Sequence, residues 1–437
     1  MLRRLVVLSL LMLIKSTFAI AAAKTDGLDV NDVSVLFPLD GQDQPVPYIN
    51  LREGGVIADL VPSGIFSDLT TIATQEWMGA PAGAGIMKIE AWYLVGFRYD
   101  LCAPSDDVSD KTCMRELRLI AQPKSQFGPA DSALHLVYGL GEGMPEISDA
   151  VLKDLVNLKR QSEAQLNSTT AGMPLNVHPL LNKAISAQNS SVPALFKAFV
   201  LKHANPNKLK KLTMMGLRDG SPLDWLFIGG NIEKGRWIQT PVANLAKGVP
   251  NSFVELNLSG NFEVFTPLTE TKTLSTEDFF NSNPQGVESK MDILNEAVHR
   301  LENPNLANRN TADCVSCHTA TTIRIERNFK FLPFVSGLTA RVPARITAFP
   351  APQMLPNHPT HWNLRAMGYF GILPTISMRT VNESARVAEM VNDVLGYEGP
   401  GRDCSAVQEA VMACFVNSSR LFGTVTAPEE CLKACTL

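Results

Sequence analysis

The run Cys314-Val315-Ser316-Cys317-His318 decides how the rest of this 437-residue chain is read. Two thiols separated by two residues, with an imidazole directly after the second, can grip one flat ligand at two points and set a nitrogen under its centre. That is the chemistry of one covalently attached haem c: each thiol adds to a vinyl group and the His becomes the proximal iron ligand. With 8 Cys and 7 His in the chain, composition alone produces C-x-x-C-H on the order of a few times in a thousand. Two other readings use the same residues, a disulfide-closed or reduced C-x-x-C beside an incidental His, and half of a zinc site. A zinc site needs a second closely spaced pair of ligands. Cys404 and Cys414 are too far apart to supply it, and Cys431 and Cys435 have a separate explanation below.

Working outward, Met291, Leu294, Val298 and Leu301 are spaced three, four and three apart, which predicts a helix with one apolar face ending at Asn303-Pro304-Asn305. After the motif, residues 329–351 read as a loop-rich stretch with Pro333, Pro343 and Pro350. Thr380-Val381-Asn382-Glu383 reads as a capping box. Val387, Met390, Val391, Val394 and Leu395 then keep helical spacing up to a stop at Gly396.

Helix, C-x-x-C-H, Pro-rich wrap and helix, in this order, resemble a class I cytochrome c over residues 287–396, about a quarter of the chain. The resemblance implies a small helical fold whose first and last helices cross beside the haem. It makes Cys314 and Cys317 the thioether residues and His318 the proximal ligand, and it calls for a distal Met between the motif and the last helix. Met378, just ahead of the capped helix, occupies the family's position for that ligand. Met367, beside Tyr369 and Phe370, and Met354 are the other thioethers, His358 and His361 would give a bis-His iron, and an open sixth position is the remaining option. The chain departs from the family in a longer connector before the motif and in a last helix without the aromatic that packs at the crossing. Arg324 and Arg327 follow the motif closely, as propionate partners or as solvated side chains.

Residues 1–23 read as an export signal. Arg3 and Arg4 precede an apolar run, Leu5 to Ile14, and small residues follow at Ala19 and Ala21. The run is shorter than the roughly 20 residues needed to span a bilayer, so no transmembrane anchor is expected in the mature chain. Export to a bacterial periplasm or outer surface agrees with c-type attachment and with disulfides.

Residues 24–280 read as a β-rich domain, sandwich-like or barrel-like, with a helical insertion at about 144–205. The runs 89–101 and 114–122 predict a hairpin whose tip is closed by a Cys102–Cys113 disulfide. Strands are also expected at 134–138, 211–217, 225–232, 236–240, 253–258 and 262–265, the last two around the turn Ser259-Gly260-Asn261. Helices are expected at 147–166 and 192–203. Asp149, Asp154 and Glu163 read as solvated carboxylates, His135 and His178 as structural histidines, and the basic cluster Lys202, His203, Lys208, Lys210 and Lys211 as a solvated face. The haem domain is expected over 285–398, after a polar boundary near Asn281-Ser282-Asn283-Pro284. A Cys-rich helical hairpin follows over 402–437, in which nesting favours Cys404–Cys435 and Cys414–Cys431 among three possible pairings.

The whole is thus expected to be multidomain α+β. A net charge of -4 gives no footprint for nucleic acid. Neither G-x-S-x-G nor H-E-x-x-H occurs, and no enzyme class is assigned. The expectation is one-electron transfer with a redox partner protein. A haem-based sensor or surface-structural role, and an oxidoreductase working at an open iron, are the alternatives.

Overall fold

In the computed structural model, residues 27–52, 59–76, 88–103, 113–125, 128–130, 132–142, 149–171, 173, 175–187, 190–218, 221–241, 251–254, 291–304, 306–326 and 364–397 are described. A short helix α1 (Val30–Val33) leads into β1 (Ser34–Leu36), and α2 (Ser63–Glu76) precedes β2 (Trp92–Ala103), β3 (Met114–Ser125), β4 (Gly128–Pro129) and β5 (Ala133–Glu142). Helices α3 (Ala150–Leu166), α4 (Pro179–Ser186) and α5 (Val192–His203) come next. They are followed by β6 (Leu209–Arg218), β7 (Ser221–Glu233), β8 (Arg236–Gln239) and β9 (Asn251–Val254). The last described elements are α6 (Met291–Glu302), α7 (Cys314–Glu326), β10 (Met367–Phe370), β11 (Leu373–Ile376) and α8 (Met378–Leu395).

The larger strands form a single antiparallel sheet in the order β1-β2-β3-β5-β6-β7-β8, with β4 on β3 and β9 on β7. This corrects the sandwich or barrel reading. The strands after the helical segment join the first sheet through β6, which pairs with β5, and extend it instead of facing it, and helices cover the sheet. The Cys102–Cys113 disulfide joins β2 to β3, as expected. The α2 and α4 helices and the small β10–β11 hairpin have no counterpart in the sequence reading. The turn at 259–261, residues 1–23, the Pro-rich stretch and the Cys-rich tail lie outside the described residues. Among the described residues no helix is long and apolar enough to cross a membrane.

The sheet has two unlike faces. A β-bulge in β2 between Leu94 and Gly96 resets the alternation, so Trp92 and Leu94 share a face with Phe97, Tyr99 and Leu101. On that face Leu117, Leu119, Leu134, Leu136 and Leu212 meet Leu69 of α2, Leu155 of α3 and Phe196 of α5 in the largest core. The opposite face carries Arg98, Asp100, Glu116, Arg118, His135, Lys211 and Thr213 among apolar residues. It is covered by α6, α7 and α8: Ala133, Met215, Trp225 and Phe227 pack on Leu294, Val298, Leu301, Val315 and Ile323. Tyr93, Val95 and Ile120 pack on Met367, Tyr369, Met378 and Val381. The helices that follow residue 290 therefore share their cores with the sheet, while the expected boundary at 280–285 falls outside the described residues.

Helix α8 begins earlier than the sequence suggests. Ser377 is its N-cap, its hydroxyl accepting from Thr380 N–H at 3.3 Å, and Gly396 ends it in the left-handed region at φ 66°. The Thr380–Glu383 capping box does not form. Thr380 Oγ1 donates to Ala366 O instead, and Glu383 is taken up by Arg98 and Arg379 at 2.7 and 2.6 Å. Asp149 likewise has a structural task, capping α3 by accepting from Val151 N–H and Leu152 N–H.

One ion pair is buried far from this face. Lys159 Nζ donates to Asp32 Oδ2 at 2.8 Å and to Gly27 O at 2.9 Å, and both charged side chains are only 3 % exposed. Removing one partner strands a buried charge, which costs about 3 kcal/mol or more. Lys159→Met should lower the unfolding free energy by about that much in urea titrations, and the double variant with Asp32→Asn should recover part of the loss.

His178 caps α4 through Nδ1, which accepts from Leu181 N–H and so requires the neutral ring. Burial brings its pKa down to about 4, with Asp32 opposing and Lys159 assisting. The unfolded chain takes up a proton near pH 6.5 while the folded chain does not, so this contribution is complete above pH 6.5 and is lost as pH falls towards 4. His178→Asn, which keeps an acceptor without titrating, should flatten the fall in stability between pH 7 and pH 4 by about 3 kcal/mol.

Candidate haem site

The motif occupies the first turn of α7, and the chain before it explains why a helix starts there. Asp313 accepts from Ser316 N–H at 2.9 Å and from Ser316 Oγ–H at 2.5 Å, satisfying a donor that the helix itself leaves open. Within that turn Cys314, Cys317 and His318 lie three and four residues apart, hence on one side of the helix. All three line the same cavity, and the two cysteines are unbridged thiols. Burial pushes both thiols up to about 12, with Asp313 acting in the same direction on each.

His318 is held by its outer nitrogen. Nδ1–H donates to Leu364 O at 2.5 Å, fixing the tautomer and leaving Nε2 as an acceptor. Burial keeps this ring below the ordinary imidazole pKa. Phe227 packs against it with ring centres 5.0 Å apart.

The cavity of about 230 Å³ lies between α7 and the polar face of the sheet. A neighbouring space of about 410 Å³ shares Val137, Lys211, Thr240, Pro241 and Arg309 with it and continues it. Together they reach the size of ordinary ligand sites, roughly 300–1,000 Å³. The walls mix apolar side chains, including Ala133, Met215 and Phe227, with Arg98, Arg118, Lys211, Arg309 and Arg379.

Most of these cations have carboxylate partners. Glu116, fully buried, takes Arg118 at 2.7 Å and Arg309 at 3.1 Å. Burial disfavours the charged form of Glu116 and of Glu383, but the surrounding guanidinium groups outweigh it and hold both below the usual carboxylate range. Lys211 makes no ion pair among the described residues. Burial, then Arg309, lowers its pKa. Its position corrects the solvated-face reading for this residue. A haem presents an apolar macrocycle and two carboxylates, and two free thiols, an oriented imidazole, an apolar wall and an unpaired cation fit that group.

Not every expected residue comes to this site. Met378 and Met367 are buried in the cluster around Tyr93 and Val381 and do not line the cavity. Met354, His358, His361 and Arg327 lie outside the described residues, as do Cys404, Cys414, Cys431 and Cys435. Arg324 is neither solvated nor at the cavity. It is 1 % exposed and donates through Nε to Glu302 Oε2 at 2.7 Å, while Thr321 Oγ1 donates to the other carboxylate oxygen, Oε1, at 2.8 Å. His135 does line the cavity, unlike a structural core histidine. Among the described residues no three His, Cys, Asp or Glu side chains converge as a compact metal site. No family model, curated protein or solved structure matches the chain.

Glu302 ties the motif helix to both neighbours, since its backbone carbonyl also accepts from Asn382 Nδ2 at 2.9 Å. Arg324→Met should therefore cost about 3–5 kcal/mol of stability. In thermal and urea unfolding, Arg324→Met with Glu302→Gln should lie closer to wild type than Arg324→Met alone.

Proposed function

We propose that this chain is an exported monohaem c-type protein that transfers one electron at a time to and from a redox partner protein. Cys314 and Cys317 would hold the haem through thioether bonds and His318 would be the proximal ligand. The hydrogen bond from His318 Nδ1–H to Leu364 O carries the reading. A metal-binding His commonly donates its second nitrogen in this way, which orients the ring and raises its basicity. Here that ring shares its cavity with two unbridged thiols.

When bound, the haem supplies a one-electron ferric/ferrous couple. The protein's own groups do the rest. Leu364 O orients the imidazole, and Asp313 sets the start of the helix that presents both thiols. Phe227 and Met215 would give the macrocycle an apolar wall, and Lys211 would offer a cation to the haem carboxylates. The export signal read in residues 1–23 would deliver the chain to a periplasm or outer surface, where thioether attachment and the Cys102–Cys113 disulfide are both at home.

The full-length chain, expressed with c-type maturation machinery, should carry one haem per chain by pyridine haemochrome assay. The haem should stay bound after acid-acetone extraction. Cys314→Ser with Cys317→Ser should abolish the covalent fraction. A colourless protein, extractable haem, or stoichiometric zinc in its place would contradict the proposal.

A further inference from the structure

We infer that His135, from strand β5, is the distal ligand of the same haem, so that the iron sits between the motif helix and the sheet. This rests on the haem reading above and extends it to a ligand from outside the stretch that resembles a cytochrome c.

The ring centres of His135 and His318 are 6.3 Å apart, and their planes lie within 21° of parallel. Two metal–nitrogen bonds of about 2.0 Å put the ligating nitrogens of opposed imidazoles about 4 Å apart and their ring centres about 6 Å apart. A distal His that left room for water or peroxide on the iron would stand roughly 2 Å or more farther away. The ring-centre spacing therefore equals that of direct ligation and is shorter than a catalytic pocket needs, while the rings, stacked as they stand, would turn end to end to bring both ring nitrogens onto the iron.

The surroundings of His135 agree. It sits deep in the fold yet keeps accessible surface, as a side chain lining a cavity does. Among the described residues neither ring nitrogen takes part in a hydrogen bond, so a partly buried imidazole lines the same cavity as the thiols with its polar atoms uncommitted. The strand holds it firmly, with His135 paired to Ile120 on one side and Thr213 on the other. Gly229, next in that row, lines the cavity without a side chain to fill it. No comparable case exists for Met378 or Met367, which pack elsewhere.

The test uses the matured full-length protein. Near-infrared magnetic circular dichroism and electron paramagnetic resonance of the ferric form should show a low-spin bis-imidazole iron. His135→Ala should lose the low-spin signal, become high-spin and bind carbon monoxide stoichiometrically when reduced, where wild type binds little. His135→Met should return to low spin with a raised reduction potential. A thioether signature in wild type, where Met214 and Met215 also line the cavity, or an unchanged spectrum in His135→Ala, would overturn the inference while leaving covalent attachment intact. Should His135→Ala not fold, His135→Met decides: a bis-imidazole spectrum that persists in that variant would place the second imidazole at His358 or His361 and overturn the inference. Absence of covalent haem would overturn both proposals, and acid-acetone extraction distinguishes that outcome from the others.

Discussion

Two carboxylates, the buried Glu116 and the partly buried Glu383, hold the arrangement of the site. Each stands on or over the polar face of the sheet, where an uncompensated charge would cost several kcal/mol. Each finds its compensation across an element boundary. Glu383 of α8 takes Arg98 of β2 as well as Arg379 of its own helix, and Glu116 of β3 takes Arg309, from the segment between α6 and α7, as well as Arg118. Buried pairs of this kind add little stability relative to a well-packed apolar core, and their effect is on placement. They fix α8 and the approach to the motif helix against the sheet, and the cavity is the space left between them.

That placement joins two parts of the chain that a reading by segments keeps apart. One face of the sheet packs on α2, α3 and α5 and is apolar, so the strands are anchored from behind. The other face presents side chains to α7 at fixed cross-strand spacing. A site built on such elements is better preorganised than one built on loops. On the proposed haem reading the N-terminal part of the protein would form one wall of the haem site and contribute to its chemistry.

What could be read in the sequence follows the range over which each signal acts. The spacing Met291, Leu294, Val298, Leu301 is local, and α6 forms where it indicates. The hairpin and its Cys102–Cys113 bridge are close in sequence and fold as expected. The C-x-x-C-H motif announces itself in five residues. The Thr380–Glu383 box failed because Glu383 is claimed by Arg98, a residue far away in the chain. Met378, expected at a loop position, is drawn into the first turn of a helix that Ser377 caps. His135 looked isolated because the alternation Leu134-His135-Leu136 says only that it faces away from the leucines. Which side of the sheet would carry the motif helix depends on packing between segments nearly two hundred residues apart. The charges Arg98, Asp100, Glu116 and Arg118, set at alternate positions in otherwise apolar strands, were the one local hint that this face was reserved for something other than a core.

The central claim is that Cys314 and Cys317 carry one haem. Mass spectrometry of the intact, denatured protein, followed by mapping of the proteolytic peptide that spans Cys314 to His318, tests it most directly. The account predicts a chain heavier by one haem, with the added mass on that peptide and no free thiol at either cysteine. A peptide of unmodified mass, or one closed by a Cys314–Cys317 disulfide, would contradict it.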